Sequence, residues 1–118
     1  MQIETRLSDQ LARYLDLAVS ETKLTATNMA NVDTPGFRTQ GFDFEAEMQK
    51  ALATPGMESP SSIDVHEVDG LVSRPDGNNV SMDREGLHLA EAQLKFKAGV
   101  ALLRLENQRV MDAIHADK

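Results

Sequence analysis

The run Asn28-Met29-Ala30-Asn31-Val32-Asp33-Thr34-Pro35-Gly36-Phe37 marks the point where a long helical pattern must stop. Upstream of it Leu7, Leu11, Leu15, Ala18, Thr22, Ala26 and Met29 recur at steps of three and four, which is one stripe of an amphipathic helix. That pattern predicts a helix over residues 4–31, with Asp9 and Arg13 as a supporting i, i+4 pair on its exposed face. Pro35 then biases Thr34 away from helical angles, and Pro35-Gly36 supplies the two central residues of a type II turn. Asn28 and Asn31 lie three apart, so their amides are expected to share a face and to satisfy carbonyls left open where the helix ends, with Asn tolerating a left-handed terminal residue.

Working outward, Phe37, Phe42 and Phe44 bring three aromatic rings close behind the turn. Asp43 has the character of an N-cap for a short helix carrying Phe44, Met48 and Leu52 at i, i+4 and i+8. Glu45 and Glu47 suit the positive end of that helix. Thr54-Pro55-Gly56 is expected to end it, and residues 57–62 read as a Ser- and Pro-rich link. Residues 63–72 are the β-like stretch, with Ile63 and Val65 alternating with polar residues and Asp69-Gly70 as the turn of a hairpin. A second Asp-Gly follows at Asp76-Gly77. The last segment, 84–115, is helical again, with Asp83 as its expected N-cap and Glu91–Lys95 as an i, i+4 pair. Leu87, Ala90, Leu94, Ala98, Ala101, Leu105 and Gln108 recur with coiled-coil spacing, and Leu102 and Ile114 widen the stripe. Gly86 and Gly99 each weaken this helix, and Gly99, beside the stripe, would let another helix come close.

The expected architecture is therefore mainly α. Long N- and C-terminal helices pair as a coiled-coil-like two-helix rod, with a short helix and a small β-hairpin and loop region between them. At 118 residues the chain is one domain, 1–118, divided as 4–31, 32–83 and 84–115. Aromatic residues make up only 4% of it and Trp is absent, so any core is aliphatic and sparse. Two narrow helices have little interior of their own, and their outer Leu and Ala positions are expected to be completed by neighbouring subunits.

A net charge of −7, with no clustered Lys or Arg, argues against nucleic acid and against direct binding to anionic lipid. No apolar run approaches the ~20 residues of a membrane span. Residues 1–10 are polar and lack an apolar core, so a cleavable secretory signal is not expected. With no cysteine, thiol chemistry is out of reach.

Asp76-Gly77-Asn78-Asn79 opens like a calcium loop, but Val80 stands at the fifth ligand position, Ser81 replaces the invariant Gly, and Leu87 replaces the bidentate Glu. A polar β-turn is the better account. His66-Glu67 opens like a zinc-protease helix, yet Gly70 stands where the second His is required. His66, His88 and His115 lie in three segments without ligand spacing, so solvated histidines are expected and no metal or cofactor is. Asp83/Glu85 and Glu45/Glu47 are two apart on helices and diverge. With no phosphate-binding glycine loop and no nucleophile elbow, no enzyme activity is expected.

Three ordered blocks, together covering the whole chain, carry a resemblance. Asn28, Ala30 and Asn31, followed by Thr34-Pro35-Gly36-Phe37, resemble the N-terminal signature of the flagellar axial proteins, the rod, hook and hook-associated subunits. That family commonly reads Asn-Ile-Ala-Asn, a polar link, then Thr-Pro-Gly-Tyr. The second block, Asp76, Gly77, Asn78, Val80, Met82, Asp83 and Glu85, is similar to the element preceding the C-terminal helix in its proximal-rod members. Phe42-Asp43-Phe44 with Glu47 resembles their Asp-Phe element, and Leu94-Lys95-Phe96 stands where they carry Leu-x-Tyr. The Arg-Ala-Tyr-x-Ala-Asn stretch of the sister proximal-rod subunit is missing.

The resemblance implies a structural subunit of the bacterial flagellar basal body, without catalysis or cofactor. It implies helical assembly into a hollow, torque-transmitting rod that spans the periplasm and through which export substrates pass. It further implies export by the flagellar type III apparatus without a cleaved signal, and chain ends that order on assembly. The implied partners are copies of itself, other rod proteins, and membrane-ring and export-gate components at the rod base. Leu7, Leu11, Leu15, Ala18, Phe42, Phe44, Leu94, Ala98, Ala101 and Leu105 are the expected subunit contacts. Two other readings stand beside this one: a different axial subunit of rod or hook type, and a cytoplasmic helical adaptor or chaperone.

Overall fold

The computed structural model describes residues 5–53 and 62–116. Helix α1 (Arg6–Ala30) is followed by strand β1 (Gln40–Gly41), helix α2 (Phe44–Ala53), strand β2 (His66–Glu67) and helix α3 (Met82–His115). The body is elongated, 69 × 25 × 19 Å. Its length follows from α3, whose 34 residues span about 51 Å at 1.5 Å each.

The two terminal helices pack antiparallel. Thr5 at the start of α1 meets Glu106 near the end of α3, Leu15 and Tyr14 meet Gly99 midway, and Asn28 at the end of α1 meets Glu85 at the start of α3. The buried positions of α3 are Glu85, Ala92, Gly99 and Glu106, a strict seven-residue repeat. On α1, Leu11, Tyr14, Ala18, Glu21, Thr25 and Asn28 answer with alternating steps of three and four, all buried or half-buried. A 3.5-residue period on both helices is the condition for a continuous seam.

This seam is not the stripe that the larger apolar residues mark out. Leu87, Leu94 and Leu105 of α3 are 62%, 69% and 66% exposed, and Ala90, Ala98 and Ala101 beside them are exposed as well. On α1 the expected stripe drifts off the seam, leaving Leu7 and Ala26 in solvent while Leu17, Ala18, Thr25 and Asn28 are buried. The physical reason is the size of the partners. Small residues at Ala18, Ala92 and Gly99 let the backbones approach, and the seam's Glu21, Asn28, Glu85 and Glu106 are held by hydrogen bonds, so neither group registers as hydrophobic patterning. Gly99 does allow the close approach expected of it: a Cβ there would lie 2.7 Å from Leu15 Cδ2 and 3.1 Å from Tyr14 Cδ1.

A carboxylate pins each end of the pair. Glu106 accepts from the Thr5 hydroxyl at 2.9 Å and from Arg109 at 2.8 and 3.0 Å, and these donors hold its carboxyl below the usual range, Arg109 foremost. Thr5 is also the N-cap of α1, in a capping box with Ser8. At the opposite end Glu85 accepts from Arg84 at 2.8 Å and from Asn28 at 3.2 Å.

Several local expectations change. Ser81, not Asp83, caps α3, so that helix begins at Met82. Asp69-Gly70 closes no hairpin; β2 instead pairs antiparallel with β1, Gln40 opposite Glu67 and Gly41 opposite His66. Of the β-like stretch 63–72, only His66–Glu67 is strand, because the pairing edge comes from the chain emerging after the Pro-Gly turn. Lys95 reaches across to Glu21 at 3.1 Å rather than pairing with Glu91. Asp43 does cap α2, accepting from the Ala46 N–H at 3.1 Å, and Asp9 pairs with Arg13 at 3.8 Å. The expected helix end at residues 54–56 and the link at 57–61 lie outside the described residues.

Glu47 explains how the chain returns from that link. Buried on α2, it accepts the Asp64 N–H at 2.9 Å and Lys50 at 3.1 Å. The Asp64 N–H, more than Lys50, lowers its carboxyl against the opposing effect of burial. Phe44 packs inward, edge-on to Tyr14 at 5.5 Å and 6.4 Å from Phe42, with the Lys95 ammonium 3.9 Å above its ring. The aromatics after the turn therefore fasten α2 to the helix pair.

Candidate assembly site

The two sequence blocks meet in space. Thr34-Pro35-Gly36-Phe37 forms the expected turn, with Gly36 at φ 77° and the Phe37 N–H donating to Thr34 O at 3.2 Å. The positive φ at the third position is what a type II turn demands, and glycine supplies it without a Cβ clash. Arg74-Pro75-Asp76-Gly77 makes a second turn, closed by the Gly77 N–H on Arg74 O at 2.9 Å, with Gly77 at φ 87°. The turns lie against each other: the Gly36 N–H donates to Asp76 O at 2.9 Å, and a Cβ on Gly77 would sit 3.4 Å from Gly36 Cα.

Asn78, fully buried, ties the blocks together. Its amide donates to Asn31 O and Thr34 O, both at 2.9 Å, while its side-chain oxygen accepts the Val80 N–H at 2.8 Å. Asn28 does the same from the other side. It accepts the Gln40 N–H at 3.1 Å and donates to Gln40 O at 2.8 Å, so one side chain mimics a neighbouring strand for β1. Asn28 therefore does not cap its own helix as expected. Asn31 does, donating to Thr27 O at 2.8 Å, but at φ −102° it is not left-handed.

Residues that the motifs did not single out complete this knot. Thr39, fully buried, donates its N–H to Asn79 Oδ1 at 2.6 Å and its hydroxyl to Asn79 O at 3.2 Å, and Thr39 O accepts the Val68 N–H at 3.0 Å. Arg38 reaches Gly77 O at 3.0 Å. Arg74 bonds to Val32 O. No hydrophobic period signals such residues, because their work is to pair buried backbone groups. Among the motif residues Val80 and Glu85 are buried, whereas Ala30, Pro35, Met82 and Asp83 face solvent.

Along the sides, the structure separates the expected contacts. Ala18, Leu15 and Phe44 are engaged inside the chain, and Leu11 and Phe42 are half-buried. Leu7, Leu94, Ala98, Ala101 and Leu105 stand on the outside. The three histidines also separate: His66 and His115 are exposed, whereas His88 is half-buried on the seam side of α3.

An antiparallel pair of long terminal helices, locked at one end by turns and carrying a leucine stripe of α3 outward, defines a class of mainly helical hairpin protein. The flagellar basal-body rod protein FlgB of Salmonella typhimurium is 29% identical over 119 residues, covering 85% of this chain and 86% of that protein. FlgB of Borrelia hermsii is 31% identical over 75% of this chain and 80% of its own length, and FlgB of Yersinia ruckeri is 30% identical over 75% and 79%. No family model matches the chain. The chain belongs to the FlgB family of flagellar basal-body rod proteins.

Proposed function

We propose that this chain is a structural subunit of the proximal rod, assembling helically with copies of itself and with other rod proteins. It lengthens a hollow shaft that carries torque and lets export substrates pass. Ring and export-gate components at the rod base are its further partners, and export proceeds through the flagellar apparatus without a cleaved signal. The observation that carries this reading is the outward stripe of α3, with Leu87, Leu94 and Leu105 each more than 60% exposed in a chain of rod-protein kinship. An apolar ridge of that length favours association by removing surface from water. The core supports the same reading, since only Leu17, Ala18, Val80 and Ala92 are buried apolar residues among those described. No helix among the described residues is long and apolar enough to cross a membrane.

The test is location. Basal bodies purified from cells carrying an epitope-tagged chain should contain the protein in the rod fraction at its full translated length. Recovery only from the cytoplasmic fraction, alongside assembled rods, would favour the adaptor or chaperone reading instead.

A further inference from the structure

Toward the knot end of the seam, a histidine and two carboxylates from different helices bring their donor atoms together. His88 and Glu91 lie one turn apart on α3, and Glu21 faces them from α1. His88 Nδ1 is 3.9 Å from Glu21 Oε1 and 3.8 Å from Glu91 Oε2, and all three donor atoms lie within 4.8 Å of one another. A tetrahedral zinc ion with ligands at about 2.0–2.2 Å sets its donor atoms roughly 3.3–3.6 Å apart. Two edges of the triangle need to contract by only a few tenths of an ångström, and Glu91, exposed, can supply the movement on the third.

The surroundings favour a cation in two further ways. Lys95 binds Glu21 through the other carboxylate oxygen, Oε2, at 3.1 Å, which leaves Oε1 turned toward His88. A partner that orients a ligating carboxylate in this way is the usual outer support of a metal site. Glu21 and His88 also line a cavity of about 290 Å³, whose walls add the acids Asp43, Glu67, Asp69 and Glu85 against the single arginine Arg84. An acid-rich concavity raises the local concentration of cations and leaves room for a water on the open coordination position.

We infer that Glu21, His88 and Glu91 form a binding site for a divalent cation of the zinc class, clamping α1 to α3. An imidazole with two carboxylates suits zinc better than calcium or magnesium, which prefer oxygen donors throughout. Bound metal joins the two helices and therefore couples to their pairing. The sequence hides the site because its third ligand comes from the other end of the chain.

The experiment is a zinc titration of the purified full chain by calorimetry, with cobalt absorption as a spectroscopic check and thermal melts followed by circular dichroism. One equivalent should bind, cobalt should give visible bands of a four-coordinate site, and zinc should raise the melting temperature. His88→Ala and Glu91→Gln should each weaken binding by about tenfold or more and remove the thermal shift, whereas His115→Ala, at the far end of α3, should change neither. Absence of binding to the wild-type chain overturns the inference, leaving these residues as an ion-pair network only. Binding that survives His88→Ala, or that disappears with His115→Ala, overturns it equally. These readouts use purified protein and are independent of whether the chain enters a rod.

Discussion

The knot at the end of the hairpin and the outer face of α3 solve opposite problems. In the knot, Asn28, Asn78, Thr39 and Asn79 are buried polar side chains whose bonds run to the backbone of segments far away in sequence. On the outer face of α3, Leu94 and Leu105 are large apolar side chains left in solvent. Ordinary expectation places the asparagines outside and the leucines inside. The inversion separates two tasks: the knot specifies the shape of one subunit, and under the proposed function the stripe is kept for what the subunit meets.

The sharpest way to break that contrast is to attack the knot. Asn28→Ala strands the Gln40 N–H and C=O and removes the donor to Glu85 Oε2, and each orphaned buried group costs roughly 1–3 kcal/mol. With so few buried apolar residues to offset the loss, the variant should lose cooperative melting by circular dichroism. Asn31→Ala, which removes one exposed cap, should cost well under half as much. Equal effects would mean that the knot is not specially sensitive.

The seam comes next. Gly99→Val drives side-chain atoms into Leu15 and Tyr14 and should cost about 1–3 kcal/mol by overpacking. Gly86→Ala meets nothing within 4 Å and should stabilise α3 by up to about 1 kcal/mol through helix propensity. Opposite signs in the two melts are the expected result, and matching signs would contradict the assigned packing face.

A smaller effect is expected from acid. Glu47 and Glu106 are both held below the ordinary value of 4.5, so the unfolded chain binds more protons than the folded one near that pH. Their contribution is complete above about pH 4.5 and is lost as the pH falls through the folded values. Melting temperature should therefore drop on acidification below about pH 4.5, and Glu47→Gln should shrink that drop while lowering stability at neutral pH. An unchanged acid limb in the variant would remove Glu47 from the account.

Much of this was legible in the sequence. Periodicity located both long helices, Asp43 announced α2, and Pro35-Gly36 gave the turn that Gly36 makes at positive φ. Both motif blocks were legible too, but not their contact, since nothing local says that Asn78 reaches the carbonyls of Asn31 and Thr34. The strand pairing was missed for a related reason: Asp69-Gly70 is locally a good hairpin turn, yet the edge offered by residues 40–41 competes successfully for residues 66–67. The face by which α1 and α3 meet is not legible in the same way. Hydrophobicity follows the largest apolar surface, and in this chain that surface points away from its own partner helix.

Leu94→Asp and Leu105→Asp test the central claim that the outer stripe serves assembly and not folding. Each purified variant should match the wild-type helix content and melting temperature closely, because both positions are already in solvent. In cells each should be expressed yet absent from basal bodies, leaving them non-motile, since a carboxylate buried without a partner in a subunit contact costs several kcal/mol at every repeat. Normal swimming with rods that contain either variant, or loss of the fold in the isolated chain, would contradict the account.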